Sequence, residues 1–131
     1  MRVIDSSTLI KYFTREYGWE EVREVLLEGV ITVDLAIKEV ANALCKKVLR
    51  GDMNYETAIQ ILKDLVEEKP LPIISQDKYL ISAFEISAKH GITIYDALFI
   101  ALAKERSQEL VTSDTKQAEI ARDLGLKAIL V

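Results

Sequence analysis

The sequence predicts an α/β fold, a three-layer α/β/α sandwich around a mostly parallel sheet, and three observations carry that prediction. Short apolar runs at 2–4, 30–33, 110–111 and 128–131 alternate with longer stretches of helical period. The stretches between the runs are long enough to be crossover helices, which parallel neighbours require and hairpin-linked strands do not. One stretch, 95–104, is apolar almost all round, as expected of a helix buried at the centre of layers.

Each element follows from local chemistry. Arg2-Val3-Ile4 reads as a strand, after which Ser6 or Ser7 is expected to cap a helix carrying Leu9, Ile10, Tyr12 and Phe13. A second helix, Trp19 to Leu27, places Val22, Val25 and Leu26 on one face and stops at Gly29. Val30 to Val33 form the next strand. Asp34 is expected to cap a long helix to Arg50, with apolar residues at 36, 37, 40, 41, 44, 45 and 48, and Gly51 ends it. Asn54 starts its partner in a helical hairpin, with Tyr55, Ala58, Ile59, Leu62, Leu65 and Val66 on one face before Pro70 blocks continuation. Pro72 to Ile74 read as a short edge strand. Ser75 is expected to cap a helix that turns Tyr79, Leu80, Ala83, Phe84 and Ile86 inward as far as His90-Gly91. Thr93 caps the central helix, Leu110-Val111 lead through Thr112 and Ser113 to Asp114, a helix carries Ala118, Ile120, Ala121 and Leu124 to Gly125, and Ala128 to Val131 close the chain.

The 131 residues, half of them hydrophobic, fit one domain spanning 1–131. No apolar run approaches the roughly 18 residues that cross a bilayer, so the expectation is a cytoplasmic protein without a membrane partner. The single cysteine, Cys45, forms no intramolecular disulfide and is read as a small buried residue among Val40, Ala41, Leu44 and Val48. The formal charge of −4 repels a polyanion overall, so any nucleic acid would meet a local cluster. Lys46, Lys47 and Arg50 form the best such cluster, though a solvated helix face explains them too.

Four acids fall at topologically matching places. In open parallel sheets the ligand site lies beyond the carboxyl ends of the strands, where Asp5 and Asp114 stand. Asp96 is in the first turn of the central helix, and Glu39 is about one turn into the helix after the second strand, with Asn42 on the same face. Two carboxylates ~4 Å apart repel by roughly 4 kcal/mol at an effective dielectric of 20. A divalent cation resolves that conflict, and oxygen-only ligands favour Mg²⁺ or Mn²⁺ over zinc or copper. Such an ion activates water and neutralises charge on a phosphate, so phosphodiester hydrolysis is the natural chemistry. Each acid also has a plainer explanation: Asp5 and Asp114 as helix caps, Asp96 as a complement to the helix dipole, Glu39 as surface.

Four segments in order, Val3-Ile4-Asp5-Ser6-Ser7, Asp34 to Leu44, Tyr95 to Ala103 and Leu110-Val111-Thr112-Ser113-Asp114, resemble the PIN-domain ribonucleases, especially their VapC-like toxin branch. The resemblance spans nearly the whole chain. It implies an α/β/α fold, catalytic and metal-ligating roles for Asp5, Glu39, Asp96 and Asp114, Mg²⁺ or Mn²⁺ as cofactor, and endonucleolytic cleavage of RNA. It further implies homodimers, an antitoxin partner, and Ser6, Asn42 and Thr112 beside the acids as substrate-binding groups. Many relatives carry one more acid shortly after the fourth, where this chain has Thr115, Lys116 and Gln117.

Two other classes compete. A regulatory or metal-binding module keeping the same fold without turnover is the alternative reading. A phosphoacceptor receiver needs an acid pair after the first strand, and a haloacid-dehalogenase-type phosphatase a second Asp two residues on, but Asp5 is followed by Ser6 and Ser7. His90, at a helix C-terminus, reads as an exposed complement to the dipole, and Trp19 as a core or dimer contact.

Overall fold

A computed structural model describes residues 1–131. The strands β1 (Arg2–Ile4), β2 (Val30–Val33), β3 (Ile73–Ile74), β4 (Leu110–Thr112) and β5 (Ala128–Leu130) form one sheet in the order β3-β2-β1-β4-β5. All four pairings are parallel, with β1 central. Its side chains are consequently buried on both faces, and Val3 and Ile4 are fully enclosed.

The helices are α1 (Ser6–Phe13), α2 (Trp19–Glu28), α3 (Leu35–Leu49), α4 (Tyr55–Lys63), α5 (Leu80–His90), α6 (Ile94–Arg106) and α7 (Thr115–Asp123). α1 packs with α2 and α3, whereas α6 packs with α5 and α7 and lies along β1, β2 and β4. These two helical groups sandwich the sheet, as the alternating pattern predicts. The run Ala97 to Ala103 is buried without interruption, so α6 is the central helix. Gly29, at φ 98°, ends α2 in a backbone conformation that other residues rarely adopt. No single helix is long and apolar enough to cross a membrane.

Several expected details differ, each for a local reason. α1 is capped by Asp5, not by Ser6 or Ser7: Asp5 has the extended backbone of a cap and accepts the Thr8 N–H, while both serines are already helical. Asp34 has helical dihedrals and makes no cap bond, and its side chain instead accepts the Gln76 N–H across the sheet edge at 3.0 Å. Ser75 caps nothing, because a 3₁₀ turn, Asp77–Tyr79, precedes α5. The inward stripe of that segment is Tyr79, Ala83 and Ile86; Leu80 and Phe84 lie one position further round and are exposed, Phe84 by 65%. Cys45 is exposed for the same reason, since α3 buries Ala36, Val40 and Leu44, spaced by four. Past α4 the chain widens into a single π turn, Asp64–Glu68, which buries Leu65 and turns Val66 outward. His90 is half-buried rather than free in solvent, with Nε2 enclosed and unpartnered. Trp19 is partly buried, stacked under the guanidinium of Arg15 at 4.2 Å.

Candidate active site

β1 and β4 are neighbours that run in the same direction, so the residues following them, Asp5 and Asp114, emerge side by side at the carboxyl edge of the sheet. Both cap the helices they precede: Asp5 Oδ1 accepts the Thr8 N–H at 3.0 Å, and Asp114 Oδ1 accepts the Gln117 N–H at 3.1 Å. Capping and membership of the acid cluster are thus one arrangement, since a cap at this edge must turn its carboxylate to the helix start.

Asp5 is 3% exposed and accepts three further hydrogen bonds, from the hydroxyls of Thr8 (2.6 Å), Ser7 (3.0 Å) and Thr112 (2.6 Å). Thr8 Oγ1 also lies 3.2 Å from Ser113 Oγ. Burial pushes the Asp5 carboxyl above its ordinary range, against the pull of these donors, of which Thr112 is the strongest.

Glu39 and Asp96 complete the group. Ser6, itself buried, donates its hydroxyl to Glu39 Oε1 at 2.6 Å, which ties α3 to α1. Glu39 is half-buried, and its pKa is raised by desolvation first and then by the charges of Asp96 and Asp5. Thr93 caps α6 by accepting the Asp96 N–H at 3.2 Å, leaving the Asp96 carboxylate at the helix start. That carboxylate is half-buried and accepts no hydrogen bond from the protein. Desolvation raises its pKa, followed by repulsion from Asp114 and Asp5. All four predicted acids are therefore electrostatically coupled neighbours.

They do not form a closed coordination sphere. No group of three Asp, Glu, His or Cys side chains is arranged to hold an ion directly. The reason is visible at Asp5, whose two oxygens are turned to protein donors. Asp114 keeps Oδ2 unpaired, Glu39 keeps Oε2, and Asp96 keeps both oxygens. This all-oxygen set suits a cation that retains much of its water and takes only one or two carboxylates directly, the habit of Mg²⁺.

Of the other predicted residues, Ser6 and Thr112 are brought into the cluster, whereas Asn42 is exposed and makes no hydrogen bond to it. Sequence reasoning missed Thr8 and Gln117. Gln117 is 2% exposed; its Nε2 donates to the Asp96 carbonyl at 2.8 Å, and its Oε1 lies 2.8 Å from Thr112 Oγ1. A signal for it was present: Asp114-x-x-Gln117 has the spacing of a capping box, which marks Gln117 as structurally engaged.

Comparison with known proteins agrees with this architecture. Residues 2–123 match the PIN domain family. Ribonuclease VapC3 of Pyrobaculum aerophilum is 35% identical over 120 residues, covering 89% of this chain and 92% of that protein. Exonuclease VapC9 of the same organism is 27% identical over 112 residues, 86% of this chain and 79% of the relative. The crystal structure of PAE2754, also from Pyrobaculum aerophilum, superposes with a TM-score of 0.70 over 97% of this chain and 89% of that one; at 22% identity this likeness speaks to the fold.

Proposed function

The chain belongs to the PIN domain family, and from that premise we propose that it is a divalent-metal-dependent endoribonuclease, the toxin of a toxin–antitoxin pair. Residues 1–131 act as one nuclease domain, in the cytoplasm, on RNA phosphodiester bonds. The observation that carries the reading is the half-buried Asp96 carboxylate, unpaired by any protein donor and pressed by the charges of Asp114 and Asp5. A structural acid at such a place would be expected to hold a hydrogen bond or an ion pair. This one has neither, which fits a group kept open for a cation.

Each residue then has a part. Asp5, held by four donors, is the fixed point of the site. Asp96, Asp114 and Glu39 present their unpaired oxygens toward the ion. Ser6 steers Glu39 by holding one of its oxygens, and Thr112 links Asp5 to the first turn of α7 by accepting the Asp114 N–H at 3.0 Å. Mg²⁺ or Mn²⁺, when bound, supplies an activated water and neutralises charge developing on the phosphate. Without a cation the four carboxylates repel the RNA backbone, so binding and chemistry share the same requirement.

Homodimerisation and an antitoxin partner belong to the same proposal. The α3–α4 hairpin carries an open apolar groove lined by Leu44, Val48, Leu49, Tyr55, Ile59 and Leu62, with Leu49 largely exposed. A second copy of this chain would cover that surface.

The deciding experiment incubates purified protein with structured and single-stranded RNAs in Mg²⁺ or Mn²⁺, with EDTA and D96N controls. Cleavage that EDTA stops and D96N abolishes supports the proposal. RNA left intact, or cut equally well in EDTA, defeats it. Calorimetric Mn²⁺ binding without cleavage would instead favour the non-catalytic module.

A further inference from the structure

We propose that Gln117 is a positioning residue of the acid cluster, its single carboxamide holding Thr112 and the first turn of α6 in register with Asp5 and Asp114; this rests on the nuclease reading above. Gln117 stands on α7 between exposed Lys116 and two buried alanines, Ala118 and Ala121. Packing alone would be met there by an apolar side chain of the same length. A buried primary amide is tolerated only when its donor and acceptor are both used, and here both are.

The carboxamide has one possible orientation. Its Nε2 faces the main-chain carbonyl of Asp96 at 2.8 Å, a group that can only accept, so the nitrogen must point there. Oε1 is then directed at Thr112 Oγ1, 2.8 Å away. At the third residue of a helix, glutamine ordinarily reaches back to the N–H of the capping residue. That course is blocked, because the Asp114 N–H already donates to Thr112 Oγ1. The side chain turns inward instead and ties three elements together: α7 through its own backbone, β4 through Thr112 and α6 through Asp96.

Thr112 is the junction on which this depends. Its hydroxyl hydrogen has two claimants, Asp5 Oδ2 at 2.6 Å and Gln117 Oε1 at 2.8 Å, and one hydrogen serves only one of them at a time. Gln117 therefore draws the hydroxyl partly away from Asp5 and leaves more of that carboxylate's charge facing the other acids. Through its amide hydrogen it also fixes how far the start of α6, and with it Asp96, stands from β4. Groups that orient ligating carboxylates in this indirect way typically change cation affinity or activity by about 10- to 100-fold when removed.

The test compares Gln117→Met, close in length and apolar, with Gln117→Glu, which keeps an acceptor for Thr112 but puts an oxygen opposite the Asp96 carbonyl. Mn²⁺ affinity is measured by calorimetry, with the melting temperature of each variant as a folding control. Positioning predicts that both variants bind Mn²⁺ about tenfold more weakly and that Q117M lowers kcat with KM for RNA unchanged. Simple charge addition predicts the reverse for Q117E, tighter binding. In the metal-free wild-type protein the Gln117 side-chain NH₂ should give a slowly exchanging amide pair in ¹⁵N-edited spectra, displaced when Mg²⁺ is added. Should Q117M fail to fold, Q117N, which keeps an amide too short to span both partners, reads the same effect. Wild-type Mn²⁺ affinity in Q117M, or tightened affinity in Q117E, overturns the role of Gln117 and leaves the nuclease reading intact. A wild-type protein that binds no Mn²⁺ overturns both.

Discussion

Replacing Asp96 by Asn removes one negative charge and, in the folded protein, no hydrogen bond, because the Asp96 carboxylate accepts none; the cap bond at this position uses its backbone N–H. The gain is set by repulsion from Asp114 and Asp5. A like-charged pair at ~4 Å repels by about 4 kcal/mol at an effective dielectric of 20 and by about 1 kcal/mol in water. Asp96 is half-exposed, so the lower figure applies to each neighbour, giving about 2 kcal/mol in all. Against this stands the lost attraction of a carboxylate for the α6 N-terminus, about 0.5 kcal/mol. The metal-free variant should therefore be more stable than wild type by about 1–1.5 kcal/mol, or roughly 5 °C in melting temperature for a chain of this length. Differential scanning calorimetry in EDTA measures this directly. With Mn²⁺ the order should reverse, since wild type gains binding energy that D96N lacks. A metal-free D96N that melts several degrees below wild type would mean that Asp96 is a structural acid, and the reasoning from unpaired charge would be refuted.

Asp5→Asn should behave oppositely, because an amide nitrogen would meet donors where the carboxylate accepts four hydrogen bonds; a loss of about 2–4 kcal/mol is expected in urea titrations. Stability without metal should also depend on pH. Asp5, Glu39 and Asp96 all have raised pKa values, with burial as the leading cause, so in the window above the ordinary carboxylate range the folded chain binds more protons than the unfolded chain. Stability from these groups is present at low pH and lost as pH rises through their folded values. The EDTA-treated protein should melt lower at pH 8 than at pH 5.5, and added Mn²⁺ should raise melting more at pH 8; a flat profile would contradict the shifts. Leu102→Ala, on fully enclosed α6, should cost about 2–5 kcal/mol, while an equal change at exposed Leu49 should leave monomer stability nearly untouched and weaken self-association in light scattering.

Much of the fold was legible because its signals are local. Periodicity located α6 and its burial, Gly29 stopped α2, and Asn54 and Thr93 capped α4 and α6 as read. Legibility failed where two neighbouring residues offered the same chemistry. Ser6, Ser7 and Asp5 can all cap a helix, and only the backbone direction leaving β1 selects Asp5. At Leu80, Phe84 and Cys45 the apolar pattern was wider than the buried stripe, and one residue's rotation about the helix axis separates core from solvent.

The sequence by itself determined which acids could matter and where along the chain they stand, because strand ends and helix starts are written in short-range pattern and residue type. Only the tertiary structure decided how they are used. Parallel pairing of β1 with β4 set Asp5 beside Thr112, 107 residues apart in the chain. It saturated Asp5 with donors, left Asp96 with none, and recruited Gln117 to span the gap between α6 and β4. Hydrogen bonds between distant segments have no periodic trace in a sequence, since they depend on distances that exist only after the layers have packed.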